Sequence, residues 1–99
     1  MSRQRVINST AAVASATFDA GGCASIIVAA DNLVGAEKVE VYVVEPVNEN
    51  ETAVYADGVV VELTPAQPQI VLEGGPRYLF SKTATTGDCA VDVFPRRLS

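Results

Sequence analysis

The chain has 99 residues, a formal charge of −5, 48% hydrophobic and 19% charged residues, and neither histidine nor tryptophan. That length accommodates one domain around one core, and the composition fits neither a disordered segment nor a membrane span, since no apolar run approaches the ~20 residues a spanning helix needs. Nucleophile–histidine pairs are excluded outright, and the charge is arranged against nucleic acid: residues 19–73 hold ten acids against Lys38, where a phosphate backbone requires a coherent positive face.

The opening stretch MSRQRVINSTAAVASATF combines basic residues, small apolar ones and an Ala14-Ser15-Ala16 triplet of the kind signal peptidase cuts. Asn8, Ser9 and Thr10 interrupt the apolar segment, so it reads as a retained N-terminal strand or arm, with residues 1–9 as the arm and 10–18 as the first strand of the domain. After the Gly21-Gly22 turn, the apolar run 23–30 ends at Asp31-Asn32, and its Ile26-Ile27-Val28 cluster predicts a strand buried on both faces or nearly so. Residues 29–38 have room for a single helical turn. Alternation is clearest over 37–46, where Val39, Val41 and Val43 point one way and Lys38, Glu40 and Tyr42 the other, until Pro46, which cannot donate to a ladder.

Residues 51–65 carry a hairpin signal, because Asp57-Gly58 supply the positive φ angles of a two-residue type I′ turn. That turn sets Ala56 opposite Val59, Tyr55 opposite Val60 and Val54 opposite Val61. Strands over 67–73 and 76–82 flank Gly74-Gly75-Pro76, and another over 88–94 follows the Thr85-Thr86-Gly87 turn. This rhythm predicts an all-β fold: a single antiparallel β-sandwich or barrel-like domain of about seven to eight short strands, immunoglobulin-like or jelly-roll-like. It spans residues 10–95, with a C-terminal tail at 96–99.

Groups able to carry catalysis are scarce. Ser81 and Lys82 are neighbours on a strand and so point to opposite faces, which separates them as a Ser-Lys pair. Glu40, Glu45, Glu49 and Glu51 have no aromatic pocket near them in sequence to raise a pKa. The stretch 47–52 offers oxygen ligands without the spacing of a calcium loop, and its Asn50-Glu51-Thr52 is a glycosylation acceptor only in a secreted chain. No catalytic residue, metal site or cofactor is therefore expected.

Cys23 and Cys89 fit neither a CxxC pair nor a zinc half-site. They read as buried small hydrophobes of a protein folded in a reducing cytoplasm, a disulfide between an early strand and the last one being the alternative. The six aromatics are too dispersed to stack nucleotides. Both ends of the chain are basic, through Arg3 and Arg5 at one and Arg77, Lys82, Arg96 and Arg97 at the other. A core this small leaves little surplus stability, so association with copies of itself or with a scaffold is expected.

The order VEVYVV, QIVLEGGPRYLFSK, a glycine turn and CAVDVF, over residues 37–94, resembles the small β-sandwich virion proteins of tailed bacteriophages, the head decoration or cement proteins and related fibre-base modules. In these a line ending Gly-Pro/Gly-x-Tyr-x-apolar-x-Lys leads through a glycine turn into a last strand of Val-x-Val type. Gly75, Tyr78, Phe80, Lys82, Gly87, Val91 and Val93 hold those positions, with Pro76 and Arg77 between Gly75 and Tyr78. The resemblance implies a non-enzymatic protein that binds the major capsid protein on the outside of the head, often as a trimer, and staples neighbouring capsomers. It implies no nucleic-acid or membrane partner, and a place on the virion surface after synthesis in the host cytoplasm. Charge and exposure then nominate Arg3, Arg5, Arg96 and Arg97 as capsid contacts, and Tyr42 and Phe94 as subunit contacts. The alternative is a tail or fibre receptor-binding module whose loops NENET (48–52) and TATTGD (83–88) would contact cell-surface sugar.

Overall fold

The computed structural model describes residues 3–98; Met1 and Ser2 of the expected arm and Ser99 of the expected tail lie outside the described residues. The strands are β1 (Gln4–Thr10), β2 (Ala14–Asp19), β3 (Cys23–Ala30), β4 (Val39–Val44), β5 (Glu51–Ala53), β6 (Tyr55–Ala56), β7 (Val59–Val60), β8 (Glu62–Leu63), β9 (Gln69–Glu73), β10 (Arg77–Lys82) and β11 (Cys89–Arg97). Seven of them have five or more residues, and the short strands β5 to β8 together fill the place of one more.

Two antiparallel sheets result. The first runs β1-β11-β3-β9, the second β2-β10-β4-β5 with β8 also on β4, and β6-β7 form a separate hairpin. From β1 to β4 the chain changes sheet at every step, and from β9 to β11 it does so again, so that β11 inserts between β1 and β3 while β10 inserts between β2 and β4. Counting β5 to β8 as one arm, this is the double-sheet Greek-key winding of a jelly roll. The expected all-β sandwich is thus observed, in its jelly-roll form.

The core lies between the sheets and follows the period-2 alternation of each strand. Ile26, Val28, Ile70, Leu72, Val91 and Val93 of the first sheet meet Phe18, Val39, Val41, Leu63, Tyr78 and Phe80 of the second. β3 is buried on its inner side at Cys23, Ile26, Val28 and Ala30, while Ile27 is half-covered on the outside, so the burial expected on both faces is realised on one. In β4 the alternation holds at Val39 and Val41, but Val44, not Val43, is the third buried residue.

Crossovers gather at one end of the sandwich and are tied to one another there. The Asp31 carboxylate accepts the Ala90 amide at 2.7 Å, and the Asn32 side-chain amide donates to the Asp88 carbonyl at 2.8 Å. Glu37 accepts from the Val34 amide at 2.9 Å and from the Thr86 amide and hydroxyl at 2.7 and 2.9 Å, and these bonds, the Val34 one foremost, hold its carboxyl below the usual range. Where a helical turn was expected, residues 34–37 form a β-turn closed by the Glu37 amide on the Val34 carbonyl at 3.1 Å.

Two expected boundaries fall inside strands. Gln4–Thr10 is an edge strand of the first sheet, paired with β11 and buried at Ile7, so residues 4–9 belong to the sandwich; the corner is residues 11–13, with Val13 72% exposed. At the other end β11 continues through Pro95 to Arg97, pairing with β3 as far as Cys23. Successive β11 residues bond alternately to its two neighbours, and Pro95 turns its missing N–H toward the β1 side, beyond Gln4, so no ladder bond to β3 is lost.

Candidate functional site

The outer face of the first sheet is built by register. Arg5 lies beside Asp92, Ala29 and Gln69 in one row; Phe94, Ile27 and Val71 form the next; Arg96, Ser25 and Glu73 the third. An apolar row thus crosses the sheet between two polar ones, basic at the β1–β11 side and acidic or amide-bearing at β9.

Asp92 organises the basic side. The Arg5 guanidinium grips it with two bonds, Nε to Oδ1 at 2.9 Å and Nη2 to Oδ2 at 3.3 Å, and Arg3 Nη1 stands 3.9 Å from Oδ2. This forked geometry holds Arg5 over the sheet, with Arg3 in looser charge contact beside it. The Arg5 hydrogen bond, ahead of the charges of Arg5 and Arg3 and against the cost of burial, keeps the Asp92 carboxyl below its ordinary value of 3.8. Its contribution to stability is therefore complete above that value and is lost as pH falls through the lowered one. Asp92→Asn is expected to melt below the unchanged chain at about pH 6 and level with it at about pH 2. A gap independent of pH in those melts would show that the carboxylate charge plays no part.

Of the sequence-nominated contacts, Arg3, Arg5, Arg96 and Phe94 come together on this face. Arg97 does not join them: its guanidinium reaches back to the Cys23 sulfur at 3.5 Å. Tyr42 lies on the outer face of the second sheet, across the sandwich, opposite Leu79 and Ala53. Its hydroxyl pKa is raised, first by desolvation and then by the nearby charge of Glu40. Tyr42 and Phe94 therefore lie on different faces of one molecule and cannot both belong to a single two-fold contact patch.

The loops 45–50 and 83–88 are at opposite ends, because β10 pairs Arg77 with Val44 and Lys82 with Val39. On a single molecule they lie on separate surfaces. The first is closed on itself, with the Glu45 carboxylate accepting the Val47 and Asn48 amides at 3.0 and 2.7 Å and Arg77 bound to Glu49 at 3.2 Å. Among the described residues no group of three or more His, Cys, Asp or Glu side chains is placed to hold a metal ion.

Sequence reading missed the role of Lys82. Its side chain is 1% exposed, and Nζ donates to the Ala12 carbonyl at 2.7 Å and the Thr83 carbonyl at 3.0 Å, while Ser81 points to the outer face. The parity that puts Tyr78 and Phe80 inward puts Lys82 inward too, and that was the available signal. Cys23 and Cys89 are both free and buried, and burial, reinforced by the charge of Asp31, pushes the Cys89 thiol pKa up.

A β-sandwich of jelly-roll winding with one basic and apolar outer face is the class that these observations define. The chain is similar in structure to a protein derived from the SPBc2 prophage, YomS, whose crystal structure superposes with a TM-score of 0.76 over 95% of this chain and 90% of that one, at 15% sequence identity. No protein-family description matches the sequence, and no curated protein matches it either.

Proposed function

We propose that this chain is a bacteriophage structural protein that attaches to the outer surface of the capsid through the outer face of its first sheet and staples neighbouring capsomers. The reading is adhesive, not enzymatic, and its partner is the major capsid protein. The observation that carries it is the convergence of Arg3, Arg5 and Arg96 around the half-buried Phe94 on one sheet face, with Arg5 already oriented by Asp92. Asp92 takes the Nε–Nη2 edge of Arg5, leaving its outer edge and the guanidinium groups of Arg3 and Arg96 to meet partner carboxylates, and an aromatic anchor within a polar rim is the usual anatomy of a protein contact. The likeness to a prophage-derived protein supports the phage setting.

The test is co-sedimentation of the purified chain with expanded and with compact shells of the major capsid protein. Binding to expanded shells and weak binding to compact ones is expected. Replacing Arg3, Arg5 and Arg96 together by glutamate is expected to weaken binding by at least about tenfold, equivalent to ~1.4 kcal/mol, with the β-rich circular dichroism unchanged. Charge reversal is the appropriate change because a truncation of residues 1–5 would cut into β1. Equal tight binding to both shells, or unaltered affinity in the triple variant, would remove the stapling role. Hits on a glycan array without shell binding would favour the tail or fibre receptor module instead.

A further inference from the structure

Four of the eight exposed large apolar side chains among the described residues lie along one lateral edge of the sandwich. Tyr55, Val59 and Val60 of the β6–β7 hairpin and Val71 of β9 are exposed there, 41–68% each. A groove of 510 Å³ lies between the hairpin and β9, lined by Ala56, Val61, Gln69, Ile70 and Val71.

β9 is also an open sheet edge. Among the described residues it pairs only with β3, and because the Ala30 amide bonds to Pro68 and the Gly74 amide to Ala24, the alternation of an antiparallel ladder turns the backbone groups of Ile70 and Leu72 toward β3 and leaves the N–H and C=O groups of Gln69, Val71 and Glu73 facing outward. The Glu73 carbonyl accepts the Tyr78 hydroxyl at 2.7 Å; the others have no protein partner among the described residues. The remaining edges are guarded. β1 has register shifts on either side of Ile7, β2 presents Ser15, Thr17 and Asp19 outward, and β5 is three residues long. β9 carries the charge of Glu73 at one end and has the β6–β7 hairpin beside it, but its ladder has no register shift and its central outward residue, Val71, is apolar.

The side chains of this edge are complementary to themselves. In Gln69-Ile70-Val71-Leu72-Glu73, an antiparallel copy centred on Val71 places Val71 opposite Val71 of the copy, and the Gln69 amide opposite the Glu73 carboxylate twice over, on the outer face. The apolar row from Phe94 through Ile27 to Val71 then continues unbroken into the second molecule. We propose that two copies of this chain pair through β9 about a two-fold axis at Val71, joining their first sheets into one eight-stranded sheet. A two-fold contact of this kind is self-complementary by construction. It takes the place of the threefold assembly that the family resemblance implies, and it stands independently of the capsid reading.

Sedimentation equilibrium of the full chain should give a dimer; a monomer at about 100 µM, where ordinary homodimers are formed, or a trimer would overturn the pairing. Facing residues of a hydrogen-bonded pair have Cα atoms about 5.5 Å apart, within disulfide reach, so Val71→Cys should form an intermolecular disulfide under mild oxidation. Val47→Cys, 81% exposed on the β4–β5 turn, should not, and equal cross-linking of the two would also overturn it. Gln69→Glu opposes two carboxylates to Glu73 and should weaken the dimer roughly three- to tenfold, while Gln69→Lys should tighten it. Changes of the same sign, or none, would mean that Gln69 and Glu73 do not face each other.

Discussion

Gly74→Ala is expected to lower the melting temperature by roughly 15 to 30 °C, since of the seven glycines only Gly74 would drive a Cβ into backbone atoms. Gly74 follows β9, where its amide donates to the Ala24 carbonyl at 3.1 Å. A Cβ built there would sit 1.7 Å from the Cys23 carbonyl oxygen and 2.4 Å from its carbon. Both are backbone atoms, so no side-chain rotation relieves the overlap. The start of β3 would have to move, and Cys23 is both buried and paired with Arg97 of β11. Shifting it disturbs β3 against both of its neighbours, which places the cost at about 4 kcal/mol or more. Gly87→Ala is the control: its φ lies outside the left-handed region and its added methyl would meet only the Asn32 Cβ, at 3.8 Å, an ordinary contact. A thermal melt of Gly74→Ala within a few degrees of the control would show that the close approach is not needed.

Lys82→Ala is expected to destabilise by about 3–5 kcal/mol and Lys82→Met by about 1–3, measured by urea denaturation. The ammonium bridges the Ala12 corner between β1 and β2 to Thr83, at the crossover from β10 to β11. Nearby, the Thr85 amide donates to the Ala11 carbonyl at 2.9 Å, so two connections between the sheets are fastened at one point. Methionine preserves the packed stem and removes the charge-assisted bonds, whereas alanine removes both and leaves a cavity. The difference between the two variants therefore separates packing from hydrogen bonding. Stability unchanged in Lys82→Met would mean that relief from burying a cation offsets the two lost bonds.

Local chemistry was legible in the sequence. Asp57 and Gly58 adopt φ of 54° and 79°, and the pairs Tyr55 with Val60 and Ala56 with Val59 follow from that turn, as does the Val61 amide bond to Val54 at 2.7 Å. The inward Val39, Val41, Tyr78 and Phe80 were legible because their partners on the strand are polar or half-exposed. What alternation does not encode is the sheet each strand joins. β10 and β11 look like successive strands across a turn, yet they sit in opposite sheets, and that choice is made by contacts between residues far apart in sequence. β1 escaped as an arm for a different reason: a guarded edge strand buries a single large residue, Ile7, among Gln4, Arg5, Asn8 and Ser9, leaving too little apolar signal. The contact face shared this blindness, since Arg5 and Asp92 are 87 positions apart and only β-pairing unites them.

The winding also sets a timetable for synthesis. β11, the last of the eleven strands to leave the ribosome, occupies an interior position in the first sheet, between β1 and β3. A nascent chain that has reached only β10 can complete most of the second sheet, but its first sheet is split, with the facing flanks of β1 and β3 unsatisfied. Closure of the first sheet is thereby deferred until β11 is available, and until then two unpaired strand flanks stand exposed.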